Sequence, residues 1–429
     1  MWQTQETCYD DKEENSMMIS VAANHAKGKV AQDNIFGANA AANEAVKEVG
    51  KDKVVNATIG AYMNDDEKLA CIPVVEETYR KIPTNEFVGY APIAGLPANL
   101  DTVIDLTFGD AKPNAYIEAV ATSGGAGAIH HAIWNYTEEN DTVLTSDWYW
   151  GPYKVFCRDL LRKFDTFRLF DEEMNFDIMS FMGKTNQILT KQDNLLVILN
   201  TPAHNPTGYS LTEGDWEHVM WVLREAAKKP SKKVILVVDI AYLDYAGDKA
   251  RDFMKQFENL PDNLLVLMAF SMSKGYTMYG QRTGAIIGIS SNKDVIQEFV
   301  DINQYSSRAT WSNINRSAQY TLQAINNDPE LKARLNSERE SFYQSFRGRA
   351  DVFMKEAAEC GLTMLPYRAG FFLTIPAKNT EAVCDRLHDD YIFAVPLAGG
   401  IRIAICAIPQ KKVYGMAAKI KQAIDELGK

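Results

Sequence analysis

Residues 195–208 read Leu-Leu-Val-Ile-Leu-Asn-Thr-Pro-Ala-His-Asn-Pro-Thr-Gly, an apolar run from Leu195 to Leu199 closed by Asn200 and followed by a turn. A run this short, bounded by turn residues, has the length of a strand buried on both faces rather than that of a helix. The same texture recurs outward in both directions, at Glu118–Thr122, Thr142–Thr145, Val234–Asp239, Leu264–Phe270 and Gly284–Ile289. These segments are rich in Val, Ile and Leu and bounded by Gly, Pro, Asn or Asp. Helical patterns lie between several of them. After Tyr209, Ser210-x-x-Glu213 resembles a capping box, and Trp216, Val219, Met220 and Leu223 then repeat at helical spacing. Alternation of this kind predicts an α/β fold with a mainly parallel, helix-flanked sheet.

From about Asn326 the texture changes. Asp328-Pro329 can start a helix, along which Phe342, Phe346, Phe353 and Ala357 continue an apolar stripe. Gly370–Pro376 reads as a strand, followed by a helix, a strand at Ile401–Ile405 and a final helix. We expect a large domain at 71–326 and a smaller α+β domain formed by 31–70 with 327–429, preceded by an arm at 1–30. No internal repeat, low-complexity tract or flexible linker is visible.

The chain has 429 residues, with 45 Lys and Arg against 56 Asp and Glu, a formal charge of −11. Net negative charge argues against a general nucleic-acid binder, which needs clustered Lys and Arg. It leaves small acidic substrates open, because they respond to a local pocket. No apolar stretch approaches the ~18 residues of a membrane helix, and the polar, acidic segment Met1–Asn15 does not read as a secretory signal. Cys8, Cys71, Cys157, Cys360, Cys384 and Cys406 contain no C-x-x-C pair and read as scattered reduced thiols, with no metal site. The expectation is a soluble cytoplasmic enzyme.

Four stretches carry chemistry. The segment Ser271-Met-Ser-Lys274-Gly-Tyr-Thr-Met-Tyr279-Gly-Gln-Arg282 follows an apolar strand. A lysine at a strand end becomes a Schiff-base nucleophile when desolvation or neighbouring cations depress its pKa. Arg282 and the hydroxyl of Ser271 beside it suit a phosphorylated cofactor. On its own the stretch reads as well as a solvated loop. Asp239 ends Val234–Asp239, where α/β folds bind ligands, although it also suits a helix cap; Tyr242 follows. His204-Asn205-Pro206-Thr207-Gly208 is a turn signature. Thr122-Ser123-Gly124-Gly125-Ala126-Gly127-Ala128 joins a strand to a helix and forms an anion cradle of free N–H groups. Its Gly125-x-Gly127 also suggests a dinucleotide turn, but His130 stands where the third glycine would be.

Taken in order, this sequence resembles the fold-type-I pyridoxal-phosphate aminotransferases of class I/II, and within them the aspartate aminotransferase branch. The resemblance runs from about Asn56 to the C-terminus. It implies a large domain with a seven-stranded sheet. It also implies that Lys274 is the internal-aldimine lysine, which moves the proton between the substrate Cα and the cofactor C4′. Asp239 resembles the partner of the pyridine nitrogen, and Asn205 and Tyr242 resemble the pair on the phenolic oxygen. Ser271, Arg282 and the N–H groups of Gly125 and Ala126 would hold the phosphate. Trp150 resembles the ring-stacking aromatic, with Trp148 as its competitor. Arg402 resembles the arginine for the substrate α-carboxylate, and Gly60 the glycine bordering the substrate. Arg308 and Tyr90 resemble residues that a partner subunit lends to the distal carboxylate and the phosphate, which implies a homodimer with composite sites.

Two departures stand out. Gly124 and Ala126 occupy turn positions where many relatives carry hydroxyl residues, and Asn313-Ile-Asn315 stands where the branch commonly has prolines. The favoured reaction passes nitrogen between aspartate or glutamate and 2-oxoglutarate or oxaloacetate. An aromatic aminotransferase, a β-decarboxylase or lyase on the same scaffold, and a nicotinamide dehydrogenase are the alternatives.

Overall fold

The computed structural model describes residues 20–30 and 34–427. Most of the expected arm (1–19, with Cys8) and residues 31–33 lie outside the described residues. The strands, in chain order, are β1 (Val55–Asn56), β2 (Tyr116–Thr122), β3 (Thr142–Ser146), β4 (Lys163–Phe167), β5 (Asn194–Asn200), β6 (Lys233–Asp239), β7 (Leu264–Ser271), β8 (Gly284–Ser290), β9 (Phe372–Pro376), β10 (Ile392–Phe393), β11 (Val395–Leu397) and β12 (Gly400–Ala404).

Seven of them form the main sheet in the order β2-β8-β7-β6-β5-β3-β4. All neighbours run parallel except β8, which is antiparallel to both β2 and β7. Successive side chains of a strand point to opposite faces. Leu195, Val197 and Leu199 therefore join one core with Trp216 and Val219, while Leu196 and Ile198 join another with Ile129 and Ile133 of the helix Gly124–Tyr136. Both faces are covered, which is why these strands read as unbroken apolar runs. Strand β4 lies at the edge, and its Lys-Phe-Asp-Thr-Phe alternation is half solvated, so it shows no such run.

The expected capping box sits two residues later than the sequence suggests. Helix Glu213–Ala227 is capped by Thr212, whose hydroxyl accepts from Asp215 N at 3.1 Å while the Asp215 carboxylate accepts from Thr212 N at 2.8 Å. Ser210 is already engaged, accepting from Ala203 N at 2.9 Å.

The second lobe is built on helix Pro329–Cys360, with Pro329 in its first turn and the Asp328 carboxylate accepting from Glu330 N and Leu331 N. Phe353 and Ala357 pack on the β9, β10 and β12 side chains. Strands β11-β12-β9 form an antiparallel sheet, and β1 pairs in parallel with β10, which ties the segment before residue 70 to this lobe. Two side chains of the long helix reach toward the main sheet. Phe346 meets the rings of Tyr62, Tyr245 and Phe371. Arg349, fully buried, donates to the carbonyls of Met63 and Cys406 and pairs with Asp65 at 3.0 Å, fixing the loop that follows Gly60. No helix among the described residues is long and apolar enough to cross a membrane.

Phe346→Ala is expected to destabilise the protein by about 3–5 kcal/mol, because it empties a ring-sized space. Met179→Ala, on an exposed helix face, is expected to stay within about 0.5 kcal/mol. Chemical denaturation of both variants checks the contrast.

Candidate active site

Strands β2, β5, β6 and β7 end on one edge, at Thr122, Asn200, Asp239 and Ser271. Antiparallel β8 begins on that same edge, so the residues before Gly284, Arg282 among them, arrive there too. The crevice outside the carboxyl ends of parallel strands is where an open α/β sheet has room for a ligand. Here it is a cavity of about 470 Å³ reaching from the sheet to Gly60 and Arg402 of the second lobe.

At its floor lies Asp239, only 5% exposed. One carboxylate oxygen accepts from the Tyr153 hydroxyl at 2.6 Å and the other from Ala241 N at 3.1 Å. Burial raises its pKa, and these two donors together with the charge of Lys274 lower it. The Tyr242 hydroxyl is hydrogen-bonded with Asn205, and burial raises its pKa, so it stays a neutral donor.

Lys274 projects from the short helix Met272–Gly275 at the end of β7. Its Nζ donates to the Gly60 carbonyl and lies 4.9 Å from the ring centre of Tyr279. Burial pushes its pKa down to about 8, helped by Arg402 and Arg282 and opposed by Asp239. An amine in that range is partly neutral near physiological pH, and the neutral form is the nucleophile.

The rim nearest β2 is the first turn of helix Gly124–Tyr136. Gly125 and Ala126 line the cavity there with Ser271, Ser273 and Arg282. Gly124 has φ +65°, and a Cβ on it would stand 2.9 Å from the Arg282 guanidinium, so glycine allows the arginine to close over the turn. Arg282 donates to the Ser273 hydroxyl at 3.3 Å and to the Tyr279 carbonyl at 3.0 Å.

At the opposite end is Arg402 on β12, 3% exposed, which donates to the Thr58 carbonyl at 2.6 Å and to Asn205 Oδ1 at 3.3 Å. Its guanidinium lies 4.5 Å from the ring centre of Phe372. A Cβ on Gly60 would sit 2.5 Å from that ring, so only glycine fits there.

Of the two tryptophans, Trp150 lines the cavity. Trp148 packs instead where a Cβ on Gly399 or Gly400 would stand 3.1 Å from its ring, at the β11–β12 hairpin. Burial holds His204 neutral, pushing it down to about 3, and its Nδ1 meets the Thr207 hydroxyl at 2.8 Å inside the turn. Tyr90 and Arg308 are not brought to this cavity: Tyr90 is 87% exposed, and Arg308 is exposed and bonds to Ser312. Sequence reading missed Tyr153, Ser273 and Phe372. Each lies in or beside a quoted stretch, but an aromatic near a helix start or in an apolar strand looks like any core residue.

The profile of the family described as "Aminotransferase class I and II" matches residues 52–420. The chain belongs to this family. It is 27% identical over 339 residues to the cytoplasmic aspartate aminotransferase of Dictyostelium discoideum, covering 74% of each chain. It is 24% identical over 373 residues to a tyrosine aminotransferase of Klebsiella pneumoniae, covering 84% of this chain and 91% of the relative. Among solved structures, an aminotransferase from Anaerococcus prevotii superposes with TM-score 0.93 at 37% identity, covering 95% of this chain and all of that one. An aromatic-amino-acid aminotransferase from Burkholderia pseudomallei, described as covalently bound to pyridoxal phosphate, gives 0.77 at 22% identity, over 94% and 100% of the two chains, and shares the fold.

The protein is therefore a pyridoxal-phosphate-dependent aminotransferase of fold type I. The residues present fit that cofactor. The rim at Gly124–Ala126 offers N–H groups without intrahelical partners, two hydroxyls and a guanidinium, a donor set suited to a phosphate dianion. The floor offers a buried carboxylate for a ring N–H, and Lys274 lines the same cavity.

The depressed Lys274 pKa has a direct readout. In the cofactor-free protein, the rate of acetylation of Lys274, followed by mass spectrometry, is expected to rise with pH through a midpoint near 8. Surface lysines should show midpoints near about 10.4. A Lys274 midpoint in that higher range would contradict the burial argument.

Proposed function

We propose that this aminotransferase passes an amino group between aspartate or glutamate and 2-oxoglutarate or oxaloacetate, as a homodimer acting in the cytoplasm. The observation that carries the reading is that a buried guanidinium, Arg402, 3% exposed and bonded to Asn205, lines the same cavity as Lys274, whose pKa burial lowers to about 8.

Arg402 would take the substrate α-carboxylate through its planar fork, with Asn205 and Thr58 fixing the guanidinium. Gly60, whose backbone lines the cavity, would border that carboxylate. Asp239 would hold the ring N–H of the cofactor, Trp150 would lie on the ring face, and Asn205 and Tyr242 would donate to its phenolic oxygen. Gly125, Ala126, Ser271 and Arg282 would hold its phosphate. Pyridoxal phosphate supplies an aldehyde that links to amines and a ring that withdraws electrons from the bonds at the substrate α-carbon. Lys274 Nζ, in its neutral form, would accept the substrate α-proton and return it.

Tyr90 and Arg308 are proposed to serve the partner's site. Tyr90 is tied to the helix that follows the one carrying Arg308, since Arg316 donates to the Tyr90 carbonyl at 3.1 Å and pairs with Glu86 at 2.7 Å. Phe87 and Val88 are exposed beside them. In a dimer, Arg308 would supply the charge for a distal carboxylate, which is costly to bury unpaired. The Dictyostelium relative is named a cytoplasmic enzyme, and that location is proposed here by likeness. A second reading, an aromatic amino acid as substrate, draws on Ile35, Phe36, Met63 and Leu69, which give the mouth of the cavity an apolar lining.

Aspartate with 2-oxoglutarate is expected to yield oxaloacetate; release of alanine or carbon dioxide would mark a decarboxylase instead. Arg402→Lys, which keeps the charge but not the fork, is expected to lower kcat/KM by about 10–100-fold for every amino acid, the size of a charged hydrogen bond. Arg308→Ala is expected to lower aspartate kcat/KM by a similar factor while sparing phenylalanine. Equal losses for the two substrates would remove Arg308 from the side-chain site.

A further inference from the structure

Tyr153 is fully buried on helix Pro152–Asp159, directly behind the floor of the cavity. Its hydroxyl donates to Asp239 Oδ2 at 2.6 Å, while Ala241 N donates to Oδ1 and the Asn200 amide holds the Asp239 backbone carbonyl at 2.9 Å. Each carboxylate oxygen thus has one direction already taken. Its remaining acceptor capacity faces the cavity that Asp239 lines. The same tyrosine ring stands edge-on to Trp150, with centroids 5.6 Å apart and planes at 90°. One side chain therefore touches both the acceptor at the cavity floor and the aromatic on its wall.

We propose that Tyr153 is a positioning residue: its hydroxyl sets the direction and strength of Asp239 as the partner of the cofactor's ring nitrogen, and its ring sets the plane of Trp150. The inference rests on the reading that Asp239 holds that nitrogen. Tyr153 does not titrate in the working range, because burial and the neighbouring Asp239 charge hold its pKa well above the usual phenol value. It is a permanent donor rather than a switch.

The sign of its effect follows from charge. A donor to Asp239 favours the carboxylate, and the carboxylate favours a protonated, positive ring. That positive ring opposes a second proton on the nitrogen joined to Lys274. Removing the Tyr153 hydroxyl weakens the first link and should make the second protonation easier. The other groups facing these centres are Tyr242, Tyr279, Arg282, Arg402 and Cys406, and they are unchanged in the variants below.

The test compares Tyr153→Phe, Tyr153→Leu and Asp239→Asn with the unaltered holoenzyme. The readouts are pyridoxal-phosphate affinity of the cofactor-free protein, by tryptophan fluorescence, and the pH midpoint of the bound cofactor's visible absorption band. Tyr153→Phe keeps the ring against Trp150. It is expected to weaken pyridoxal-phosphate binding by up to about tenfold, because Asp239 short of one donor protonates more readily and is then a poorer partner for a ring N–H. It should also move the midpoint upward, as Asp239→Asn does but by less. Tyr153→Leu should weaken binding further, because the contact with Trp150 goes as well. Incorporating 3,5-difluorotyrosine at 153 keeps the fold and makes a stronger donor, so the midpoint should move downward. If Asp239→Asn shifts affinity and midpoint while Tyr153→Phe and the fluorinated residue leave both unchanged, the role of Tyr153 is overturned. If Asp239→Asn itself shifts neither, the reading of Asp239 falls instead.

Discussion

The site depends on one electrostatic constraint: a carboxylate and an amine line the same cavity, and burial disfavours the charged form of each. Burial raises the pKa of Asp239 and lowers that of Lys274, and the attraction between the two groups opposes both shifts. Asp239 receives two further donors, Tyr153 and Ala241 N, which favour its anionic form. Among the described residues no carboxylate forms an ion pair with Lys274; its Nζ meets the Gly60 carbonyl and aromatic ring faces. Desolvation therefore wins at the lysine, and the amine is poised near about 8. The same burial thus acts in opposite senses on two groups that line one cavity.

The sheet creates this constraint because four strands end together and the antiparallel β8 returns to the same edge with Arg282. The second lobe completes it with Gly60 and Arg402. The long helix joins the lobes through Phe346 and through Arg349, which pins the loop after Gly60 by its carbonyl and carboxylate bonds. A displacement of that helix would be felt at the Lys274–Gly60 contact.

Much of this was legible in the sequence because strands buried on both faces leave unbroken runs such as Leu195–Leu199. Edge strand β4, half solvated, left no such mark, and two-residue strands such as β1 are too short to show a period. The Thr212 cap was displaced by two residues because Ser210, an equally good cap by type, was already bonded to Ala203 N. Order along the chain pointed to Lys274, Asp239, Asn205, Tyr242, Arg282 and Arg402, and all six line one cavity. Tyr153 was not legible, since its importance lies in a contact with Asp239 across 86 residues of sequence. Trp148 and Trp150 became distinguishable only when Gly399 and Gly400 placed the first against the other lobe. The overall charge of −11 belongs to the chain as a whole, whereas Arg282 and Arg402 bring local positive charge to the cavity.

The most direct test of the account is to reduce the purified holoenzyme with borohydride and locate the cofactor by peptide mass spectrometry. The account predicts a pyridoxyl group on the peptide containing Lys274 and its loss in Lys274→Ala. A reduced adduct on a different lysine of the native protein, or one retained by the variant, would contradict it.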